Sequence, residues 1–271
     1  MAELIRIDDP QDPRIAGYMQ VRERDLVGRE GHFMAEGQVV VRMLVHSRLC
    51  RPVSLLLAEK RLAAMAELID LLPLAAEVFV ASQAVMDQIV GFPIHRGILA
   101  LGRRAETPSA AELLAGLGEE ALVLVLCGIG NHDNMGGLFR NAAAFGADAV
   151  ILDADCCDAL YRKAIRVSVG ASLITPFAQL ERDEDLLGLL RGARFEALSL
   201  SPSGAVRLSA LKRPPRVAVL LGSEGPGLSP DVLAQTRTVA IPMATGFDSL
   251  NVATTAGIVL HHLGFAAERE R

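Results

Sequence analysis

Hydrophobic positions in the second half of the chain alternate between short continuous runs and helix-like spacing. Residues 121–127 form a continuous apolar run, as expected of a central parallel strand that is buried on both faces. Strands and helices alternate after it, which indicates a parallel α/β sheet. The predicted helices cover 135–145, 159–167, 184–191 and 251–265, and the other predicted strands cover 149–152, 173–177, 195–199, 217–221 and 239–241.

The first half shows the same alternation on a smaller scale and predicts a small α/β layer. The predicted helices cover 13–29, 38–49, 61–72 and 82–90, with Ser82 as an N-cap, and the predicted strands cover 32–35, 53–57, 78–80 and 97–101. The stretch 103–120 is rich in charged residues, Gly and Pro, which favours a linker. We therefore expect two domains, 1–104 and 118–271.

Composition narrows the class of protein. The chain has 271 residues, of which 51% are hydrophobic and only 4% aromatic, so Leu, Val, Ile and Ala must fill the core. A net charge of −5 argues against a protein that coats nucleic acid non-specifically, although a local basic patch could still recognise one RNA site.

The four cysteines show no metal-ligand spacing, so we expect no metal site. A reduced, cytoplasmic setting is the simplest interpretation of unpaired cysteines. The N-terminal residues lack a secretory signal, and no apolar run approaches the ~20 residues of a membrane span.

Polar, glycine-rich loops follow the predicted strands in three places. They are 134–142, 221–228, and 241–243 with 249–252. Ligands bind at the carboxyl ends of strands in open α/β sheets, so three such loops predict a binding pocket. The glycines of the second loop would let backbone groups approach a ligand closely.

A dinucleotide site is one alternative, because Gly128 and Gly130 follow an apolar strand. The third position of that fingerprint is Asp133, and the next acidic residue, Asp153, is slightly too far along the chain. A nicotinamide-dependent oxidoreductase is therefore a weak alternative.

The first loop combines a predicted helix cap with two glycines and an arginine. Asn134 is placed to cap a helix that begins at Met135, and Gly136 and Gly137 are costly there unless a ligand or another segment comes close. Arg140 shares a face with Gly136, and we interpret it as a phosphate or transition-state contact rather than a surface ion pair. Ser249 is predicted to cap the last helix.

Together these segments resemble the SpoU-type (TrmH-like) RNA ribose methyltransferases of the SPOUT superfamily. That family has Asn-x-Gly-x-x-x-Arg-x-Ala, Gly-Ser-Glu-Gly-x-Gly-Leu, and Ile-Pro-Met followed by Ser-Leu-Asn-Val. The matching positions are Asn134, Gly136, Arg140 and Ala142, then 222–228, then 241–243 and 249–252, with Lys163, Arg166, Ser168, Gly170 and Ala171 as an intermediate motif. One departure is His132-Asp133, where members often have Asp-Pro. The segments 32–37 and 95–100 resemble the ribosomal-protein-like domain that precedes many of these enzymes.

The resemblance implies an α/β fold whose C-terminal parallel-sheet SPOUT domain contains a deep trefoil knot, behind a small ribosomal-protein-like substrate-binding domain. It also implies a homodimer through the C-terminal domain, S-adenosylmethionine as cofactor, and methylation of a ribose 2′-hydroxyl in ribosomal or transfer RNA. A catalytically silent RNA-binding module is the other alternative.

The resemblance also suggests site residues. The catalytic candidates are Asn134, Arg140, Glu224, Ser249 and Asn251; the cofactor candidates are Leu221, Gly222, Ser223, Gly225, Gly227, Ile241, Met243 and Leu250; the RNA candidates are Lys163, Arg166, His32, Glu36 and Arg96. Because a guanidinium has a pKa above ~12, we expect Arg140 to stabilise the developing oxyanion rather than to act as a base.

Overall fold

The computed structural model describes residues 3–19, 31–91, 97–106 and 108–264. Within them, the strands are β1 Leu4–Ile7, β2 His32–Glu36, β3 Cys50–Ala58, β4 Glu77–Ala81, β5 Ile98–Arg104, β6 Ala121–Leu126, β7 Ala149–Leu152, β8 Phe177–Gln179, β9 Glu196–Leu200, β10 Val206–Arg207, β11 Arg216–Leu221 and β12 Arg237–Ala240. The helices are α1 Gln38–His46, α2 Leu62–Asp70, α3 Gln83–Val90, α4 Ala110–Ala115, α5 His132–Ala144, α6 Arg162–Val167, α7 Leu186–Gly192, α8 Pro230–Gln235 and α9 Val252–Gly264. No helix among these residues is long and apolar enough to cross a membrane.

The chain divides into two compact units. The first contains residues 1–106 together with 160–174, and the second contains 107–159 together with 175–271. The segment that carries α6 therefore belongs with the N-terminal residues, although the motifs on either side of it lie in the second unit. The predicted domain limits, 1–104 and 118–271, stay predictions.

The first unit is built on a mixed five-stranded sheet in the order β1-β4-β3-β5-β2. Strands β1, β4 and β3 run parallel, whereas β5 pairs antiparallel with both β3 and β2. The segment 160–174 is tied to this unit by an ion pair of 2.8 Å between Arg162 and Glu36. Ser47 also donates a hydrogen bond from its hydroxyl to the carbonyl of Leu173.

The second unit is built on a seven-stranded sheet in the order β10-β12-β9-β11-β6-β7-β8, in which all neighbouring strands are parallel. Strand β6 is buried along its whole length, which confirms the prediction of a central strand for that apolar run. Because the sheet is parallel, the carboxyl ends of its strands share one edge, where the second and third polar loops emerge. The first predicted loop, 134–142, was wrong, because these residues lie inside helix α5.

Several local predictions from the sequence were wrong or incomplete. The predicted linker 103–120 contains α4, whose capping box joins the Ser109 side chain to the Glu112 backbone and the Glu112 side chain to the Ser109 backbone. The Ser-x-x-Glu spacing was visible in the sequence and would have revealed this helix. The prediction also missed β1, β10 and α8, and the strand predicted at 173–177 begins only at Phe177 because Ala171–Leu173 forms a 3-10 turn.

Local prediction succeeded where a capping residue marked the element. Helix α3 has Ser82 as its N-cap, as predicted, and the Ser82 hydroxyl accepts a hydrogen bond of 3.3 Å from the Val85 amide.

The helix predicted at 13–29 is only partly described, and Pro13–Tyr18 forms a 3-10 helix rather than an α-helix. Residues 20–30 lie outside the described residues.

Arg216, at the start of β11, ties the ends of two helices to the sheet. Its guanidinium donates hydrogen bonds of 2.9 Å to the carbonyls of Leu114 and Leu117 and of 3.0 Å to the carbonyl of Ala193. It also lies 4.3 Å from the ring centroid of Phe195. Carbonyls at the ends of helices lack partners within their own helix, so Arg216 satisfies acceptors at the ends of α4 and α7.

Replacing this side chain should therefore destabilise the second unit. We expect Arg216→Ala to lower the free energy of unfolding by about 3 kcal/mol, because several carbonyls lose a charged donor at once. Urea denaturation measures this change. Arg237→Ala is the matched control, because Arg237 forms an exposed ion pair of 3.0 Å with Glu196 and should cost less than about 1 kcal/mol. Equal losses in the two variants would contradict this role for Arg216.

Candidate functional site

A cavity of about 450 Å³ lies at the carboxyl ends of β9, β11 and β12 in the second unit. These strands are neighbours in the sheet, so the segments that follow them meet at one edge. All eight residues proposed from the sequence as cofactor contacts line this cavity: Leu221, Gly222, Ser223, Gly225, Gly227, Ile241, Met243 and Leu250.

The cavity wall also contains residues that sequence reasoning missed. The end of β9 contributes Leu200, Ser201 and Pro202, and the first turn of α9 contributes Val252 and Thr255. Strand β9 carries no glycine-rich motif, so only its position between β12 and β11 reveals that its end lines the cavity. That position is a property of the sheet order, for which the sequence offered no signal.

Glycines are required where the loop after β11 folds back on itself. A Cβ atom on Gly222 would overlap the carbonyl carbon of Gly227 and the amide nitrogen of Leu228. The loop is closed by a hydrogen bond of 3.1 Å from the Gly227 amide to the Ser223 carbonyl. Gly225 and Gly227 have φ angles of 92° and 71°, which L-residues with side chains rarely adopt. The backbone itself therefore forms this wall of the cavity.

Three polar side chains connect the loops around the cavity. Asn134 donates a hydrogen bond of 2.7 Å from its amide to Oε1 of Glu224. Asn251 donates to the same oxygen at 3.2 Å and to Oδ1 of Asn134 at 2.9 Å. Asn134 is 8% exposed, so its hydrogen bonds are partly shielded from water. The network joins three segments that are far apart in sequence, and it holds Glu224 and Asn251 in the cavity wall.

Both helix caps proposed at this site were wrong. Helix α5 begins at His132 and is capped by Asn131, whose Oδ1 accepts from the amides of Asp133 and Asn134 at 2.8 and 3.2 Å. Asn134 therefore lies inside the first turn, where its side chain is available for Glu224. Helix α9 is capped by Asn251 rather than Ser249, because the Asn251 Oδ1 accepts from Ala253 at 2.9 Å.

The glycines and small residues on α5 and α9 allow these two helices to approach closely. A Cβ atom on Gly137 would lie 2.8 Å from the Cβ of Ala253, and Asn141 donates a hydrogen bond of 2.6 Å to the Ala253 carbonyl. A Cβ atom on Gly257 would lie 3.3 Å from the side-chain nitrogen of Asn141. The face of the last helix that carries Ala253 and Gly257 thus packs against α5 within the chain.

Two catalytic candidates, Arg140 and Ser249, lie outside this hydrogen-bond network. Arg140 is exposed on α5 and does not line the cavity, and within the described residues no ion pair engages its guanidinium. Ser249 lines the cavity, and its hydroxyl donates a hydrogen bond of 3.2 Å to Asp248. Asn134, Glu224 and Asn251 thus form one cluster, and Arg140 stands outside it.

Four of the five RNA candidates lie among the described residues, and all four belong to the first unit. Lys163 and Arg166 are exposed on α6, and His32 is half-buried at the start of β2. The carboxylate of Glu36 is held in the ion pair with Arg162, which indicates a structural role. Arg96 lies outside the described residues.

The structure argues against a dinucleotide site at 128–130. The Gly128 amide, which would contact a pyrophosphate, donates a hydrogen bond of 2.8 Å to the carboxylate of Asp153. The Ile129 amide donates a hydrogen bond of 3.4 Å to Sγ of Cys156.

Burial raises the pKa of the nearby Cys127 thiol to about 12, so this thiol stays protonated and unreactive near neutral pH. No cluster of three or more His, Cys, Asp or Glu suited to a metal occurs in the part of the chain that the structure describes.

Comparison with known proteins supports the resemblance seen in the motifs. Residues 121–261 match the model of the SpoU rRNA Methylase family. An uncharacterized tRNA/rRNA methyltransferase of Mycobacterium bovis is 37% identical over 94% of this chain and 92% of its own length. The 23S rRNA (guanosine-2′-O-)-methyltransferase RlmB of Acinetobacter baylyi is 29% identical over 75% of this chain and 83% of its own.

The fold has a counterpart among solved structures. An AdoMet-bound rRNA methyltransferase from Sinorhizobium meliloti superposes with a TM-score of 0.80 at 20% identity, covering 98% of each chain. This chain therefore shares an α/β fold with a parallel sheet with that structure. From the family model, the sequence relatives and the cavity lined by the second and third motifs, we conclude that this chain belongs to the SpoU rRNA methylase family.

Proposed function

We propose that the protein transfers a methyl group from S-adenosylmethionine to a ribose 2′-hydroxyl in structured ribosomal or transfer RNA. The observation that carries this proposal is the single cavity into which the second and third motifs converge. The names of the relatives support it, since they are described as tRNA/rRNA and 23S rRNA 2′-O-methyltransferases. The AdoMet bound in the Sinorhizobium structure supports the choice of cofactor.

The residues that line the cavity are chemically suited to an adenosyl cofactor. Its walls combine backbone groups of the glycine-rich loop with apolar side chains such as Leu221, Ile241 and Leu250. Small-molecule sites commonly have this mixture, in which apolar walls bury the ligand and a few polar groups orient it. S-adenosylmethionine supplies the reactive methyl group when it is bound there.

The polar network would fix the position of the reacting groups. Methyl transfer requires the ribose oxygen to lie in line with the methyl carbon, and such positioning contributes several kcal/mol to catalysis (~7–11 in favourable cases). Asn134, Glu224 and Asn251 brace the segments that surround the cavity, so they would limit motion during the reaction. Ser249, whose hydroxyl donates a hydrogen bond to Asp248, would support the segment that precedes α9.

Arg140 would act on the RNA rather than on the cofactor. Its exposure on α5 leaves the planar guanidinium available for a phosphate or for the ribose oxygen as negative charge develops. The hydroxyl proton would pass to water or phosphate, since the guanidinium cannot accept it.

We further propose that the last part of the chain threads a deep trefoil knot and that the protein is a homodimer through its C-terminal domain. Both follow from the family resemblance. Because the small-residue face of α9 is used within the chain, a dimer would need another surface, and exposed Ile258 on the same helix is available for one. Light scattering should report twice the monomer mass, and a monomer that still methylates RNA would contradict the dimer.

Methylation of purified RNA tests the function directly. The full chain, S-adenosylmethionine carrying a labelled methyl group, and unmodified ribosomal or transfer RNA should produce labelled RNA. Mass spectrometry of nuclease digests should then find a dinucleotide that resists cleavage because its ribose is methylated. Binding of RNA without any methyl transfer would instead indicate a silent RNA-binding module.

A further inference from the structure

A second cavity, of about 350 Å³, lies in the first unit and takes no part in the site described above. Its walls include the N-cap and first turn of α1 (residues 37–40) and two arginine side chains, Arg61 and Arg166. Arg61 precedes α2, whereas Arg166 lies near the end of α6, about a hundred residues further along the chain. The folding of segment 160–174 into the first unit brings these two cations to one cavity.

Both arginines have side-chain donors without a partner among the described residues. Nε of Arg61 is buried and has no hydrogen-bond partner among the described residues. The guanidinium of Arg166 also makes no hydrogen bond or ion pair within the part of the chain that the structure describes, and this side chain is exposed. A buried donor without an acceptor is unfavourable, so an acceptor supplied by a ligand would stabilise this arrangement.

Nearby carboxylates are paired with other cations. Glu36, the last residue of β2, is bound by Arg162 at 2.8 Å. Glu59, two residues before Arg61, is bound by Arg6 at 2.8 Å. The positive charge of Arg61 and Arg166 is therefore not neutralised by these two carboxylates.

The start of α1 adds further donors to the same cavity. Its N-cap is Gly37, which has a φ of 92° and no side chain to accept hydrogen bonds from the first turn. The helix has nine residues, and the amides at its N-terminus carry partial positive charge. An anion in the cavity would thus face two guanidinium groups and the N-terminus of a helix.

We propose that this cavity binds a phosphate group of the RNA backbone. A phosphodiester offers two charged oxygens, which match the paired donors of a guanidinium. Lys163, one turn before Arg166 on α6, is exposed and would extend the positive surface along a nucleic-acid strand. This proposal rests on the proposed function, because it assumes that the protein binds RNA, and it adds Arg61 to the RNA-binding candidates.

Salt dependence of RNA binding tests the proposal. The probe is radiolabelled bacterial 23S rRNA, and nitrocellulose filter binding gives its affinity for the full chain across a KCl series. Each lost phosphate contact should lower the slope of log K against log salt by about one unit. We expect this change in both Arg61→Gln and Arg166→Gln. Lys60→Gln is the matched control, because exposed Lys60 adjoins Arg61 but does not line the cavity, and it should leave the slope nearly unchanged.

A second measurement observes the site without RNA. In the wild-type chain, the Nε–H resonance of Arg61 should shift saturably when inorganic phosphate is added, and Arg166→Gln should weaken this response. No shift at any phosphate concentration, or slopes equal to wild type in both glutamine variants, would overturn the proposal. Since Arg166 is exposed, its variant tests the site even if Arg61→Gln fails to fold.

Methyl transfer separates failure of this site from failure of the proposed function. Both variants should raise the KM for RNA and retain kcat at saturating RNA, because the cavity does not contain the reacting groups. A loss of kcat with unchanged KM would contradict phosphate binding. A wild-type chain that methylates no RNA would overturn the proposed function, whereas the slope and the phosphate titration would still decide the site.

Discussion

Arg140→Ala should reduce the turnover of methyl transfer by about 100- to 1000-fold, the usual cost of losing one group that stabilises transition-state charge. The affinity for S-adenosylmethionine should stay nearly unchanged, because Arg140 does not line the cavity. The variant should also fold normally, since the side chain is exposed. Single-turnover kinetics with labelled cofactor measures the chemical step, and calorimetry measures cofactor binding.

Two further variants sharpen this test. Arg140→Lys should fail nearly as badly, because an ammonium lacks the planar pair of donors that orients a ribose or phosphate. Arg182→Ala is the matched control, since Arg182 is an exposed arginine of the same unit that pairs with Asp155 at 2.7 Å. If Lys at position 140 restored turnover, positive charge alone would suffice and the orienting role would be wrong.

Gly222→Ala should weaken the binding of S-adenosylmethionine by about 100-fold, or about 3 kcal/mol. The added methyl group would overlap backbone atoms of Gly227 and Leu228, which cannot rotate away as a side chain could. The loop would have to open, and the cavity wall that it forms would be displaced. Calorimetric titration of the full-length variant with the cofactor measures the loss.

Gly130→Ala provides the control for this prediction. Gly130 lies in a loop of the same unit, but a Cβ atom there would meet nothing within 4 Å. We expect wild-type cofactor affinity in this variant. If Gly222→Ala also bound the cofactor normally, then the loop after β11 would not contact it, and the assignment of the cavity would need revision.

The polar network explains why substitutions at this site should be coupled. Asn134 and Glu224 are separated by 90 positions in the chain, and Asn134 and Asn251 by 117, yet each contacts the other two. Removing one side chain leaves the donors or acceptors of its partners without a hydrogen bond. Losses in double variants of this network should therefore be smaller than the sum of the single losses.

Much of the local structure was determined by the sequence alone. The continuous apolar run of β6 predicted a buried parallel strand, and Ser82 marked the start of α3 correctly. The glycine-rich motif after β11 predicted a binding loop, and its residues do line a cavity. These features depend on periodicity, caps and backbone conformation within a few residues, and such information is present in a short window of sequence.

Contacts between distant segments were decided only by the tertiary structure. The sheet order places the end of β9 in the cavity wall, and close packing between Gly137 and Ala253 joins α5 to α9. The caps at α5 and α9 shifted because Asn131 and Asn251 accept the first-turn amides, which frees Asn134 to bind Glu224. The segment 160–174 likewise joined the first unit through long-range contacts such as the ion pair between Arg162 and Glu36. Such pairings depend on which surfaces meet in the folded chain, and no local pattern of residues encodes them.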